Sequence, residues 1–334
     1  MNFETKDIAV VILNWNGKAL LEQFLPSVVS FSKDANIYVA DNASTDDSIG
    51  FLKTNYSEIK IIQNLENGGY AKGYNEALQQ VNEPILCLLN SDIEVTENWL
   101  QPILNTYNSD ISIGIIQPKI LDFKQKTHFE YAGAAGGFID KYGYPYCRGR
   151  IFNAIEEDNN QYNQNSEIFW ASGACLFIKN ENFKSLNGFD EHFFAHMEEI
   201  DLCWRAFNNG IMCFFVSDST IYHVGGATLS NTNSKKTLLN FRNSLFTLVK
   251  NTNKNLLGRV IIRMSLDGAA ALRFLFSGKS SHFFAILKAH FQFYKALPRL
   301  INQRKAILHS KDYWHTNSIV WSYFVQKKKT FDQL

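Results

Sequence analysis

Apolar residues in the first hundred positions come in short unbroken runs, each closed by a polar cluster, and between the runs they recur at spacings of three and four. An unbroken run too short for a helix reads as a strand buried on both faces, and the spaced pattern reads as an amphipathic helix. The alternation therefore predicts repeated βαβ units. Ile8 to Leu13 is the first strand, followed by the turn Asn14-Trp15-Asn16-Gly17 and a helix to about Ser30. Ile37 to Ala40 is the second, ending at Asp41-Asn42; Ser44 or Thr45 is placed to cap a helix whose first turn carries Asp46 and Asp47. Ile59 to Ile62 is a third strand, Gly69 to Gln80 a helix, and the run from Ile85 closes in Asn90-Ser91-Asp92.

Right-handed crossovers bring the carboxyl ends of such strands to one edge, so Asn14-Trp15-Asn16, Asp41-Asn42 and Asn90-Ser91-Asp92 should stand together. Open α/β sheets bind ligands in the crevice outside those ends. Asp92 is there either a ligand for a metal that holds phosphates or simply the cap of the next turn. The stretch from Tyr107 to Asn165, rich in Gly, Tyr and Asn, reads as irregular loops, some of them mobile around a site. Phe169 to Ile178 is apolar again and leads through Gly188-Phe189-Asp190 into a dense polar segment, His196 to Arg205.

After Ser234 the texture is helical and basic, which divides the chain into a region 1–234 and a region 235–334. The net charge of +1 over 334 residues hides this division: residues 1–234 hold 15 Lys+Arg against 29 Asp+Glu, and residues 235–334 hold 18 against 3. An excess of +15 in the second region suits an anionic partner, a membrane surface or a nucleic acid. Segments 256–276 and 281–301 are rich in Phe and Leu but interrupted by Arg263, Asp267, Arg273, Lys288 and Lys295. They read either as helices lying in an interface with snorkelling basic side chains or as an ordinary amphipathic subdomain. No run of about 18 apolar residues predicts a spanning helix. The first residues do not read as a secretory signal, and five cysteines without CxxC spacing suit reduced thiols, which together predict a cytoplasmic protein.

Two further clusters carry chemistry. Glu198, Glu199 and Asp201 crowd the start of a helix, where repulsion and burial push a carboxyl upward towards the range of a general base. His223 closes the run Ile221-Tyr222 and precedes Gly225-Gly226; a lone His there is more often structural, but the glycines would admit a phosphate or sugar. Asn67 to Asn75 has phosphate-loop glycines without the Gly-Lys-Ser/Thr ending of a P-loop.

The ordered motifs Val10 to Asn16, Val39 to Ser44, Asn67 to Asn75, Asn90-Ser91-Asp92, Trp170 to Ala174, Gly188 to Glu191, Glu198 to Arg205 and His223 to Gly226 together resemble family 2 glycosyltransferases, particularly the bacterial rhamnosyltransferase-like branch. The resemblance spans roughly residues 7–250 and implies a GT-A fold, a Rossmann-like mixed sheet flanked by helices. It also implies a nucleotide-sugar donor, a divalent metal and inversion at the anomeric carbon. Carried over, Asp41 accepts from N3–H of uracil or thymine, with Leu13, Asn14, Trp15, Asn67, Lys72, Asn75, Asn90 and Ser91 around the nucleotide. Asp92 is the remaining carboxylate of the family's DxD motif and holds Mg2+ or Mn2+, with His223 as second ligand. The base aligns with Glu199, with Glu198 and Asp201 as alternatives, and Trp170, Ser172 and Gly173 line the sugar and acceptor side. Arg205 would fix the acids by pairing.

The function expected is transfer of a hexose or deoxyhexose from a UDP- or dTDP-sugar to a lipid-linked saccharide in cell-surface polysaccharide synthesis, by a protein peripheral to the inner face of the cell membrane. A nucleotidyltransferase acting on sugar phosphates would use similar groups. A nucleic-acid-binding protein ranks last, because the basic region carries no recognised motif and the rest is acidic.

Overall fold

The computed structural model describes residues 2–225, 233–305 and 312–334; Gly226, singled out above, lies outside them. The first half is built as the alternation predicts: β1 (Ile8–Asn14), α1 (Lys18–Phe31), β2 (Asn36–Asp41), α2 (Ser48–Asn55), β3 (Lys60–Gln63), α3 (Gly69–Ala77) and β4 (Ile85–Asn90). Then follow β5 (Ile93–Val95), α4 (Gln101–Ser109) and β6 (Ile113–Asp122). The short strands β7 (Gly137–Ile139), β8 (Pro145–Cys147), β9 (Arg150–Ile151), β10 (Ala154–Ile155) and β11 (Ser166–Ile168) come next. β12 (Cys175–Lys179), α5 (Asn180–Ser185), α6 (Glu198–Asn208) and β13 (Met212–His223) complete the sheet region. Four helices end the chain: α7 (Ser234–Asn251), α8 (Leu256–Phe276), α9 (Ser280–Asn302) and α10 (Ile319–Phe324).

The main sheet is mixed. Its order is β11-β13-β6-β12-β4-β1-β2-β3, with β5 on β13. β3, β2, β1 and β4 are parallel, whereas β12 runs antiparallel to both β4 and β6. The unbroken apolar runs follow from burial on two faces: in β1, Ile8, Val10 and Ile12 join α1, α2 and α4 on one side, and Ala9 and Val11 join α3 and α6 on the other.

Two expectations are corrected. The region from Tyr107 to Asn165 is not loop throughout: β6 is a ten-residue central strand, and β7 to β10 form a second, four-stranded sheet. β6 escapes a sequence reading because Gln117 and Lys119 lie buried within it, satisfied by Gly133 and Ser172 and by Asp158, groups distant in sequence. The second correction is to the start of α2, which begins at Ser48 and not at Ser44 or Thr45; the Asp46 carboxylate accepts from the Ser48 amide and hydroxyl.

One core is continuous across residue 234. Leu245, Leu248 and Val249 of α7 and Phe293 and Leu300 of α9 join the cluster that covers the α3 and α6 face of the sheet. Among the described residues, no helix is long and apolar enough to cross a membrane.

Candidate active site

Leu13 pairs with Ala40 in one ladder and Asn90 in the other, so the polar ends of β1, β2 and β4 stand side by side. Asn14 is fully buried and gives its amide to Asp41 at 3.0 Å and Ser44 at 3.2 Å, while its own side-chain oxygen has no partner. The second oxygen of Asp41 accepts from the Ser44 amide at 2.9 Å. Each carboxylate oxygen keeps a further lone pair, so Asp41 can still accept from a base. Trp15 stands half exposed beside them, and the Ser91 hydroxyl lies 3.7 Å from where a side chain on Gly17 would begin.

The loop after β3 is tied into this edge by Asn67, whose side-chain oxygen accepts from Asn42 and from the Gly69 amide, both at 3.0 Å. Two neighbours are otherwise engaged. Lys72 is ion-paired with Glu66 and, at 3.5 Å, with Glu76. Asn75 clamps the Phe189 backbone through both its amide and its oxygen, each at 2.9 Å.

Asp92 meets His223 because β5, directly after it, pairs with β13, placing Ile93 opposite His223. Both side chains are buried, with Asp92 Oδ1 3.2 Å from His223 Nε2. On the other side of the ring, Nδ1 lies 3.3 Å from Glu130 Oε1, an ion-pair distance without the alignment of a hydrogen bond. Burial works against a charge on His223, but Glu130 and Asp92 outweigh it and raise the imidazole to about 10. The cluster favours positive charge.

A divalent cation fits these residues. Asp92 and His223, 3.2 Å apart, would offer it one carboxylate oxygen and one imidazole nitrogen. Among the described residues, no group of three or more His, Cys, Asp and Glu side chains is arranged to hold a metal. Glu130 lies in a small-residue loop with no periodic signal, and the sequence reading missed it.

The acids of α6 are set by the segment before it. Phe194, His196 and Met197 all have left-handed backbone (φ 66°, 69° and 73°), a conformation that non-glycine residues adopt at about 1–3 kcal/mol each. What holds them is Asn243 of α7, fully buried, whose amide reaches the carbonyls of Phe193, Ala195 and His196 at 2.8–3.1 Å. Tyr70 adds a second tie: its backbone donates to the Phe194 carbonyl and its hydroxyl to the Gly173 carbonyl at 2.8 Å. A side chain on Gly173 would begin 3.1 Å from that hydroxyl and 3.7 Å from Glu199 Cγ, so glycine there lets Glu199 and Tyr70 approach the end of β12.

The three acids differ. Asp201 is fully engaged, Oδ2 by Arg205 at 2.8 Å and Lys250 at 2.9 Å, Oδ1 by Asn251 at 2.9 Å. Despite complete burial these partners hold its carboxyl below the usual range. Glu198 and Glu199 each keep a buried oxygen without a partner. Burial raises Glu199 to about 7, although backbone amides at the helix start pull it down; burial and the charge of Glu199 also push Glu198 well above the usual carboxyl range. His196 is pushed down to about 4 by burial and by Lys236.

Trp170 and Ser172 face inward. The Trp170 indole donates to the Phe138 carbonyl at 2.8 Å, and the Ser172 amide to Gln117 at 2.8 Å, with both residues buried. Of that segment Gly173 faces the acids. The Asn90 amide, bonded to the Ala174 carbonyl at 2.9 Å, joins it to the end of β4.

The family profile described as glycosyl transferase family 2 matches residues 9–187. A curated relative, the N-acetylglucosaminyl-diphospho-decaprenol L-rhamnosyltransferase of Mycobacterium tuberculosis, is 23% identical over 238 residues, covering 66% of this chain and 76% of its own. Staphylococcus aureus TarS 1–349 in complex with UDP-GlcNAc superposes with a TM-score of 0.57 at 14% identity, over 89% of this chain and 83% of that one. The mannosyltransferase PcManGT from Pyrobaculum calidifontis, in complex with GDP-Man and Mn2+, gives 0.52 at 13% identity, over 86% and 87%. These neighbours are glycosyltransferases and share the GT-A architecture of this chain.

Proposed function

The chain belongs to glycosyl transferase family 2, and from that premise we propose that it is a metal-dependent, inverting enzyme moving a hexose or deoxyhexose, rhamnose included, from a UDP- or dTDP-sugar to a lipid-linked saccharide acceptor. The product would serve cell-surface polysaccharide synthesis, and the enzyme would work as a peripheral protein on the anionic inner face of the membrane. One observation carries the reading: the Asp41 edge, the Asp92 and His223 pair and the Glu199 carboxylate, with one oxygen unpartnered, all gather around the ends of β4 and β12. A rhamnosyltransferase relative whose name specifies a lipid-linked N-acetylglucosaminyl acceptor supports the acceptor class.

In this reading Asp41, fixed by Asn14 and Ser44, accepts from N3–H of the uracil or thymine ring, and Trp15 covers the base. Asp92 and His223 would hold Mg2+ or Mn2+, with Mn2+ the better match to a carboxylate and imidazole pair, to offset charge on the departing nucleoside diphosphate. With a cation in place of the Nε2 proton, Glu130, 3.3 Å from the far ring nitrogen, would steady the imidazole as a ligand. Glu199 takes the proton of the acceptor hydroxyl on the face opposite the leaving group. Glu198, which burial and the neighbouring Glu199 also push upward, stands beside it, and Asp201 is assigned to support and not to proton transfer.

The test is a donor screen with purified protein and Mn2+ or Mg2+, detecting released UDP or dTDP. Asp92→Ala should abolish turnover. Pyrophosphate in place of a nucleoside diphosphate would make the protein a nucleotidyltransferase, and full activity of Asp92→Ala would remove the metal role.

A further inference from the structure

Helix α8 buries charge beside the apolar contacts that Leu256, Val260 and Met264 make with the main core, and leaves other large apolar side chains outside. Its buried stripe is Arg259, Arg263, Asp267 and Ala271, and its outward stripe includes Leu257, Ile261, Leu272 and Phe276, which are 50–84% exposed. The buried charges are held: Arg263 pairs with Asp267 at 2.9 Å and donates to the Gly143 carbonyl at 3.0 Å, Tyr144 donates to Asp267 at 2.7 Å, and Arg259 donates to Tyr313 at 2.7 Å. The inward face is thus committed to the rest of the protein. Packed beside α8, α9 continues the outer surface with Phe284, Leu287, Phe291 and Tyr294, 47–63% exposed. A shallow groove lined by Ile261, Met264, Ser265, Leu287, His290 and Tyr294 joins the two helices.

Eight large apolar side chains about half exposed or more on two packed helices mark a candidate docking surface. Its rim is basic: Lys288 and Lys295 are exposed along α9, Lys279 sits at the turn between the helices, and Arg273 lies over the Phe324 ring of α10. Neither helix is apolar enough to span a bilayer. We propose that the outward faces of α8 and α9 insert in the plane of an anionic lipid leaflet, apolar side chains below the headgroups and the lysines among them. Charge complementarity favours lipid over a second copy of the chain, because residues 235–334 carry 18 basic against 3 acidic residues and a symmetric pairing would oppose like charges. This deepens the membrane partner named above by locating it and by making insertion, beyond charge attraction, its basis.

The experiment is flotation of the full chain with phosphatidylcholine vesicles, with and without phosphatidylglycerol, at low and high salt. Flotation reads no sugar transfer, so it can succeed or fail independently of the enzymatic reading. The native protein should float with anionic vesicles and retain part of that binding in high salt. Phe276→Asp with Phe284→Asp should lower partitioning by about tenfold or more while leaving the circular dichroism spectrum unchanged. Lys288→Glu with Lys295→Glu should weaken it chiefly at low salt. A Phe276→Trp variant should be quenched by brominated lipid. Equal flotation of the Asp variant, no flotation of the native chain, or a native dimer that the Asp variant dissolves without any vesicle binding would each overturn the proposal.

Discussion

Helices α6 and α8 both bury charged side chains, and the difference between them separates support from chemistry. In α8 the acid and base at Asp267 and Arg263 satisfy each other, with Tyr144 and backbone carbonyls taking further bonds. In α6 only Asp201 is treated that way; Glu198 and Glu199, at the helix start, each keep an oxygen without a partner. Burial without partners is unfavourable, and a fold tolerates it where the group is needed free. The same helix thus carries one fully satisfied carboxylate and two that each keep an oxygen free.

The sharpest way to break this contrast is Glu199→Gln. It should lower transfer by roughly 10²–10⁴-fold while sparing donor binding by calorimetry, since a missing general base removes a contribution of that order; unchanged turnover would end its role. Asp267→Ala should leave activity per folded molecule intact yet destabilise by about 3–5 kcal/mol in urea titration, because Arg263 would remain buried and uncompensated. If the loss is under 1 kcal/mol, the α8 stripe is not structural in the sense argued. Glu130→Gln should weaken Mn2+ binding by roughly 10–100-fold, read by electron paramagnetic resonance, with Asp92 and His223 intact. The smallest effect is with pH: as a base whose carboxyl is raised to about 7, Glu199 works deprotonated, so turnover should fall as pH drops through about 7 and level off above it. A flat profile from mild acid to neutrality would assign the proton elsewhere.

The sheet edge was legible because two-face burial leaves contiguous apolar runs, and the residue after each run is fixed by that register; Asn14, Asp41 and Asp92 fall out of it directly. The Phe- and Leu-rich segments 256–276 and 281–301, read as amphipathic helices, are α8 and α9, but an amphipathic pattern has a limit. It does not say which stripe of a helix faces inward, and in α8 charges go in with the apolar contacts: Arg263 and Asp267 are buried and do not snorkel. Glu130, Asn243 and the strand around Gln117 were illegible for another reason. Each depends on partners far along the chain, and nothing in the neighbouring residues announces them. Likewise Lys72, Asn75 and Trp170 stand in matching motifs, yet their polar groups are engaged within the protein.

Asn243 links the two halves of the molecule in a way that bears on engineering. It grips the left-handed segment that aims Glu198 and Glu199, and it sits on α7, which packs along α9. Trimming the greasy end of the chain to make a well-behaved reagent would therefore uncover the helix that holds the segment before Glu198 and Glu199. Recolouring the outer face with polar side chains, one position at a time, keeps that scaffold whole.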